Sequence, residues 1–396
     1  MIRKLKPIVN IILMFALVMC WGLTIGYSEN IKPSREVINF FFEESNVTTS
    51  KVKELKEIKK DVDIVGWRED SLQTVINPDL SRTASELKVL LIKGDSSLIL
   101  NSVFLFEDDK QGCLIDEDTA YKLFGSKNAI GRELQFSDRT LVVRGIHKET
   151  KANLILQLLD DEEVKLDGIS LDGSKFTLTE MKDFKMQSGL QELPIKGGIY
   201  YTVSKMMSMI IPIIILILLL SKVGINLLKE RRKPVLFIIY LAVAFAIIII
   251  FFKITNIKIQ IPLDMIPNKW SDFDFWGELW DEFTKKIEYV IYMKKYGVDI
   301  YNIENLFKTL FYSILSIVLF IVNLKLVKIN DIKYLLGFIG ILIVSTFIVV
   351  ITINIKYGFD INIPILWLSY PLYLCGNQLI IQLNKLKIIR PMINIE

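Results

Sequence analysis

The chain has 396 residues, of which 52% are hydrophobic and 23% charged, with a formal net charge of +4. The mean hydropathy of +0.40 is too high for a soluble surface of this size, and the charge is nearly absent from several windows and dense between them, as alternating membrane spans and loops require. So small a net charge, clustered at the ends of apolar runs, gives no basis for nucleic-acid binding, and the length allows one folded domain beside a helix bundle.

Residues 8–27 form an unbroken apolar run, preceded by Arg3, Lys4 and Lys6, that is long enough to cross a hydrocarbon core about 30 Å thick. A cleavable signal would need a small-x-small site, and a lipid anchor through Cys20 is opposed by Met19, so residues 1–27 are expected to be an uncleaved anchor helix. Residues 28–202 change character and read as an α+β domain. A helix capped by Thr49 or Ser50 is expected to run to about Lys60, with Val52, Leu55 and Ile58 on one face. Strands are expected at 62–66, 87–93 and 100–106, and again at Cys113-Leu114-Ile115. Asp116 is the expected N-cap of a short helix ending at Gly125. Residues 133–146 read as a hairpin around Ser137-Asp138, and 155–180 as short strands with a turn at Asp172-Gly173.

Five more apolar runs follow, at about 204–222, 235–252, 307–324, 334–353 and 361–383. Alternate connections are basic: Arg3, Lys4 and Lys6; Lys229, Arg231, Arg232 and Lys233; Lys325, Lys328 and Lys333; Lys385, Lys387 and Arg390. The positive-inside rule places all four in the cytoplasm and both long segments, 28–202 and 254–306, outside. The expected architecture is therefore an α-helical polytopic protein of the cell membrane, with about six transmembrane helices, both termini cytoplasmic, and an α+β extracytoplasmic domain between the first two spans. Its blocks are the anchor at 1–27, the outer domain at 28–202, a helical hairpin at 203–253, an outer amphipathic segment at 254–306, and the last three spans with a cytoplasmic tail at 307–396.

The spans carry almost nothing ionisable, which argues against ion-coupled transport. Lys222 and Lys308 are expected at span ends, where they can snorkel; Pro212, Pro364 and Pro371 mark kinks, and Gly337 and Gly340 mark close helix contacts. There is no GxxxxGK[ST] loop, no HExxH and no GxSxG, and His147 is the only histidine. With Cys113 alone outside the spans, neither a metal set nor a triad can be assembled, so no enzyme and no cofactor are expected.

Within 256–305, six lysines and nine acidic residues give a net charge of −3. Ser271 and Asp274 make a capping box, Lys294 and Lys295 close the helix before Gly297, and Trp276, Leu279, Trp280, Phe283, Ile287, Val290 and Ile291 recur at helical spacing. The acidic residues lack the spacing of a calcium loop. The expected role is an interfacial helix on the outer leaflet, with Trp270, Trp276, Trp280 and Phe283 at headgroup level; the alternative is a docking face for a partner or a lipid-like substrate.

The stretch 112–146 carries Leu123-Phe124-Gly125, then Ile130-Gly131-Arg132, then Val142-Val143-Arg144-Gly145-Ile146. In this order and spacing it resembles the extracytoplasmic core domain of MacB-like and FtsX-like ABC transporter permeases, over about residues 1–225. Phe124 and Ile130 are expected in the core, with Gly125 and Gly131 as turn glycines. The resemblance implies a permease without catalytic residues of its own, served by a separate ABC ATPase and paired with a second copy or another permease. It makes Lys229, Arg231, Arg232 and Lys233 the expected ATPase contact. Two departures stand out: five spans follow the outer domain where the family usually has three, and Pro234 shortens the cytoplasmic coupling segment. A sensor, immunity or assembly factor that binds a partner through the outer domain is the rival reading.

Overall fold

The computed structural model describes residues 2–31, 37–42, 47–100, 102–148, 150–196, 198–256, 296–327 and 331–393, together with 276, 277, 280, 281, 284, 285, 288 and 292. The chain divides into two units, Lys32–Tyr201 with Ile261–Glu304, and Met1–Ile31 with Thr202–Gln260 and Asn305–Glu396.

Among the described residues the first unit has nine strands: β1 (Val37–Phe41), β2 (Ile64–Asn77), β3 (Arg82–Lys93), β4 (Gly112–Asp116), β5 (Glu133–Phe136), β6 (Arg139–His147), β7 (Leu154–Gln157), β8 (Gly168–Asp172) and β9 (Ile195–Lys196). Their order is β3-β7-β4-β6-β5-β2-β8-β1-β9, and β2 also pairs with β3. Strands β2, β3, β7, β4, β6 and β5 therefore close into a ring, which removes the exposed edges an open sheet would present. Strand β2 serves both parts: Ile64–Trp67 pair with β8, while Val75 and Ile76 pair with β5. Between these halves the register with β3 slips at Asp70/Gln73 and Gln73/Val75, with Leu72 at φ 60°, so a bulge turns the strand from sheet into ring.

The ring is filled by Val75, Leu87, Val89, Cys113, Ile115, Leu134, Leu141, Val143, Leu154 and Leu156. Helix α3 (Glu117–Phe124) adds Ala120, Leu123 and Phe124 to that core. Helices α2 (Thr49–Ile58) and α4 (Leu178–Ser188) pack Val52, Leu55 and Phe184 against Ile38, Phe40, Ile64, Ile169 and Leu171. Trp67 lies fully buried, its Nε1 donating to Ser170 Oγ (3.1 Å), which in turn donates to Asn39 (2.7 Å). Gly168 faces the Trp67 ring so closely that any Cβ would overlap it.

Three local expectations are corrected. Thr48, not Thr49 or Ser50, is the N-cap of α2; Thr49 turns inward and its hydroxyl donates to the Glu162 carbonyl (2.9 Å). Leu100 and residues 102–106 are in no strand: Leu100 and Leu105 are buried as loop anchors, and the Leu105 backbone is satisfied by Ser96, through its N–H to Ser96 Oγ (2.7 Å) and its carbonyl from Ser96 N–H (3.0 Å). Ile130 is 62% exposed, and the adjacent Ala129 is the residue in the core.

The second unit consists of α1 (Ile2–Asn30), most of α5 (Gly198–Ser208), α6 (Ile210–Lys229), α7 (Pro234–Thr255), the greater part of α8 (Gly297–Leu326), α9 (Ile332–Tyr357) and α10 (Pro364–Ile393). Among the described residues, five stretches are long and apolar enough to cross a membrane: Val9–Asn30, Ile210–Lys229, Pro234–Thr255, Asp299–Leu326 and Ile332–Tyr357. Helix α10 has the length, but Ser369, Tyr370, Tyr373, Asn377 and Gln378 make it more polar.

Pro212 lies in the first turn of α6, where it supplies no N–H to the Ser208 carbonyl four residues back. The indole Nε1 of Trp21 donates to that carbonyl instead (3.1 Å), and the Ser313 hydroxyl donates to the Met207 carbonyl (3.1 Å). Nearby, Lys205 pairs with Glu29 (2.6 Å) and Ser28 donates to Ser204 (3.3 Å). The expected close-contact glycines are also corrected. A Cβ on Gly337 or Gly340 would meet nothing, whereas one on Gly22 would press on Ile353 and Ile361, and one on Gly26 would overlap the Phe359 ring. The small-xxx-small pair is thus Gly22-x-x-x-Gly26 on α1.

Two outcomes are expected from thermal unfolding of the detergent-solubilised chain. Trp21→Phe loses about 1 kcal/mol, and Pro212→Ala, which restores the competing amide, shrinks that loss in the double variant; additive losses would show that the indole bond is not replacing the missing one. Gly26→Val lowers the midpoint sharply while Gly337→Val leaves it within about 0.5 kcal/mol.

Candidate functional site

The basic turn forms where α6 gives way to α7. Glu230 caps α6 and donates its N–H to the Asn226 carbonyl (3.0 Å), and Pro234 occupies the first position of α7, where its missing N–H leaves nothing unmet. Only residues 230–233 separate the helices, with no helix among them. Glu230 is nearly buried and pairs with Lys233 at 3.6 Å. Lys229, Arg231, Arg232 and Lys233 are exposed. Lys229, in the last turn of α6, is favourably placed against the negative end of the helix dipole. The last residue of α6 and the short link after it therefore present four cations together.

The aromatic segment is described in part. Residues 276, 277, 280, 281, 284, 285, 288 and 292 are helical and exposed, which puts them along one helix face. Trp276 is 39%, Trp280 68% and Tyr292 80% exposed, with Asp281, Lys285 and Glu288 interleaved. Trp270, Phe283, the Ser271/Asp274 capping box and Lys294-Lys295 lie outside the described residues. Tyr296, just beyond, is buried: it stacks on Phe41 (6.2 Å), meets Trp67 edge-on (5.0 Å) and donates to the Phe42 carbonyl (3.4 Å).

In the 112–146 segment, β4 leads into α3 through Asp116, whose carboxylate accepts from Thr119 N–H (2.9 Å) and Asn153 Nδ2 (3.0 Å). Gly125 ends the helix at φ 70°, its N–H bonded to the Tyr121 carbonyl (2.8 Å). Gly131 sits at φ 81° and exchanges the chain onto β6, its N–H donating to Val143 (2.8 Å) while Val143 N–H donates to Arg132 (2.9 Å). Both glycines occupy the left-handed region, where a side chain is strained. Strand β6 then runs parallel to β4, with a register shift between Cys113 and Leu114.

Burial holds the Cys113 thiol up to about 12, and burial, weakly opposed by Asp116, pushes His147 down to about 4. Neither imidazole nitrogen finds a hydrogen-bond partner among the described residues. Hydrogen bonds from Lys93 and Lys110 bring Asp160 down to about 2. Among the described residues no three of His, Cys, Asp and Glu are grouped to hold a metal ion.

One polar cluster escaped the sequence reading. Lys222 lies seven residues inside the end of α6, not at a span end; its Nζ donates to Asn377 Oδ1 (2.5 Å) and Tyr373 OH (3.4 Å) of α10 and lies 5.3 Å from the Tyr373 ring. The signal was present as Asn377 and Gln378 in an otherwise apolar run, but nothing local says which helix they face.

No family model matches the chain, and no curated protein matches it. Among solved structures it is similar to the periplasmic region of MacB from Actinobacillus actinomycetemcomitans, at 16% identity and a TM-score of 0.34, over 42% of this chain and 90% of that one. It is also similar to the extracellular domain of the noncanonic ABC-type transporter YknZ from Gram-positive bacteria, at 14% identity and a TM-score of 0.31, over 40% of this chain and 98% of that one.

As the only histidine, His147 gives a single imidazole signal in NMR. That signal is expected to titrate near 4, not near 6.5. Because the unfolded chain then binds more protons between these values, stability falls as pH drops through that window, by up to about 3 kcal/mol, and is unaffected above it. His147→Leu removes this slope; a midpoint near 6.5 would mean the ring is solvated.

Proposed function

We propose that the chain is a permease-type membrane subunit of an ABC-like export or mechanotransmission system, working with a separate ATPase and as a dimer with itself or another permease. The observation that carries the reading is the strand, short helix and hairpin of residues 112–146. There the Phe124-Gly125 step, the left-handed Gly131 and the Val142–Ile146 strand that resemble the permease family build one continuous piece of the ring. This domain follows one long apolar helix and precedes the others, which is the family's arrangement. In this reading α10 is the sixth span, both termini and the basic turn are cytoplasmic, and the sheet domain lies outside. Trp276 and Trp280 then rest at the outer membrane interface. The chain supplies shape and motion, and the partner supplies hydrolysis.

The four-residue turn at 230–233 favours one alternative, a sensor, immunity or assembly factor that binds through the outer domain, because an ATPase normally grips a helical element. Purification of the tagged full chain from native membranes in mild detergent separates the two. The permease reading expects a stoichiometric nucleotide-binding ATPase, lost when Arg231 and Arg232 are both changed to Glu. Recovery of a surface or secreted protein with no ATPase would replace it with the binding module.

A further inference from the structure

Lys222 poses an electrostatic problem that its neighbours do not solve. The residue is half-buried on an apolar helix, and its two side-chain partners among the described residues, Asn377 and Tyr373, are both neutral. The nearest carboxylate along α6, Glu230, is two turns away and pairs with Lys233. An ammonium inside a span is costly unless a counter-charge reaches it. The two helices that carry Tyr373 and its ring partner Phe320 also hold buried amide atoms without a partner among the described residues. Asn377 and Tyr373 hold the ammonium from one side and leave it further donors, since an ammonium has three. Gln378, next to Asn377 and 5% exposed, has both amide atoms without a hydrogen bond among the described residues. Asn323, fully buried on α8, has its Oδ1 in the same condition; Phe320, one turn before it, packs edge-on against Tyr373 (6.0 Å).

We infer that Lys222, Tyr373 and Asn377 form an anion site within the helix bundle that takes the phosphate of an acidic phospholipid. Seven residues separate Lys222 from Lys229 at the basic turn, roughly 10 Å along the helix, so the site lies beneath the leaflet surface that the turn marks. A lipid is favoured over a free anion because the α6 surface between Lys222 and the turn carries Ile225 and Leu228, 53% and 75% exposed, which suit acyl chains. The inference rests on α6 crossing the membrane and not on the permease assignment, so loss of the ATPase partner would leave it untouched.

The test uses the full chain in a zwitterionic detergent, titrated with short-chain phosphatidylglycerol, short-chain phosphatidylcholine or inorganic phosphate, and followed by thermal shift and native mass spectrometry. Phosphatidylglycerol alone is expected to bind and stabilise. Lys222→Met should weaken that binding roughly tenfold or more, as loss of a charge-assisted contact implies, and Lys222→Arg should keep it. Asn377→Asp supplies an internal counter-charge, so this variant should fold at least as well as the parent and still lose the lipid. Undiminished phosphatidylglycerol binding in both Lys222→Met and Asn377→Asp would overturn the site. Equal binding of phosphatidylcholine would overturn the anion, and equal stabilisation by inorganic phosphate would overturn the lipid.

Discussion

Every backbone amide that leaves water must keep a hydrogen-bond partner, and this chain meets that requirement in two ways. In the sheet domain the answer is closure: β2 pairs with both β3 and β5, so among the described residues the ring has no free edge, and the sheet beyond it ends on the two-residue β9. In the apolar segments the answer is the helix, which satisfies itself. The constraint becomes visible where it is nearly violated, at Pro212, because a carbonyl there has to be met from another helix. Trp21 is suited to that task, since the indole carries one donor at the edge of a large apolar body. The same contact fixes α1 against α5–α6, and Gly22 and Gly26, one and five residues along, let α1 approach Ile353, Ile361 and Phe359.

What the sequence made legible was local and what it hid was pairwise. Asp116 and Gly125 announce α3 because a cap and a left-handed stop are chemical signals within nine residues, and Ser137-Asp138 announces the β5–β6 turn for the same reason. The polar outer halves of β2 and β3 gave no apolar alternation. They are strands because Asp70–Asn77 pair with Arg82–Val89, a fact about two segments at once. Leu100 and Leu105 show the reverse error: they look like a strand's inward residues but are anchors of a loop folded on Ser96. The Phe124/Ile130 pair divides likewise, one buried and one exposed, although both carry the family resemblance.

The candidate site was legible in the same measure. A run of basic residues between apolar helices locates the turn at 229–233, and Pro234 tells why it is short. The polar residues of α10 were visible too, but their meaning depends on the facing helix. Placed at the end of its span, Lys222 would reach the headgroups freely; two turns further in, turned toward Asn377, it is a charge that needs an answer.

Helix α6 is consequently tied at two levels, by Trp21 and Ser313 to the carbonyls just before it and by Lys222 to α10 near its other end. Hydrogen bonds between helices in a membrane are individually weak, about 0.6 kcal/mol on average and at most about 2. Losing the Trp21 and Lys222 contacts together would therefore disfavour a shifted α6 by only a few kcal/mol. A ligand that prefers the shifted state by about 30- to 100-fold offsets that difference. The ties thus define a resting position for α6 without locking it. By contrast, the Gly26–Phe359 packing is steric and has no graded alternative. The contrast is between the ties around α6, which are hydrogen bonds that another partner can replace, and the contact of α1 with the loop that follows α9, which is set by shape.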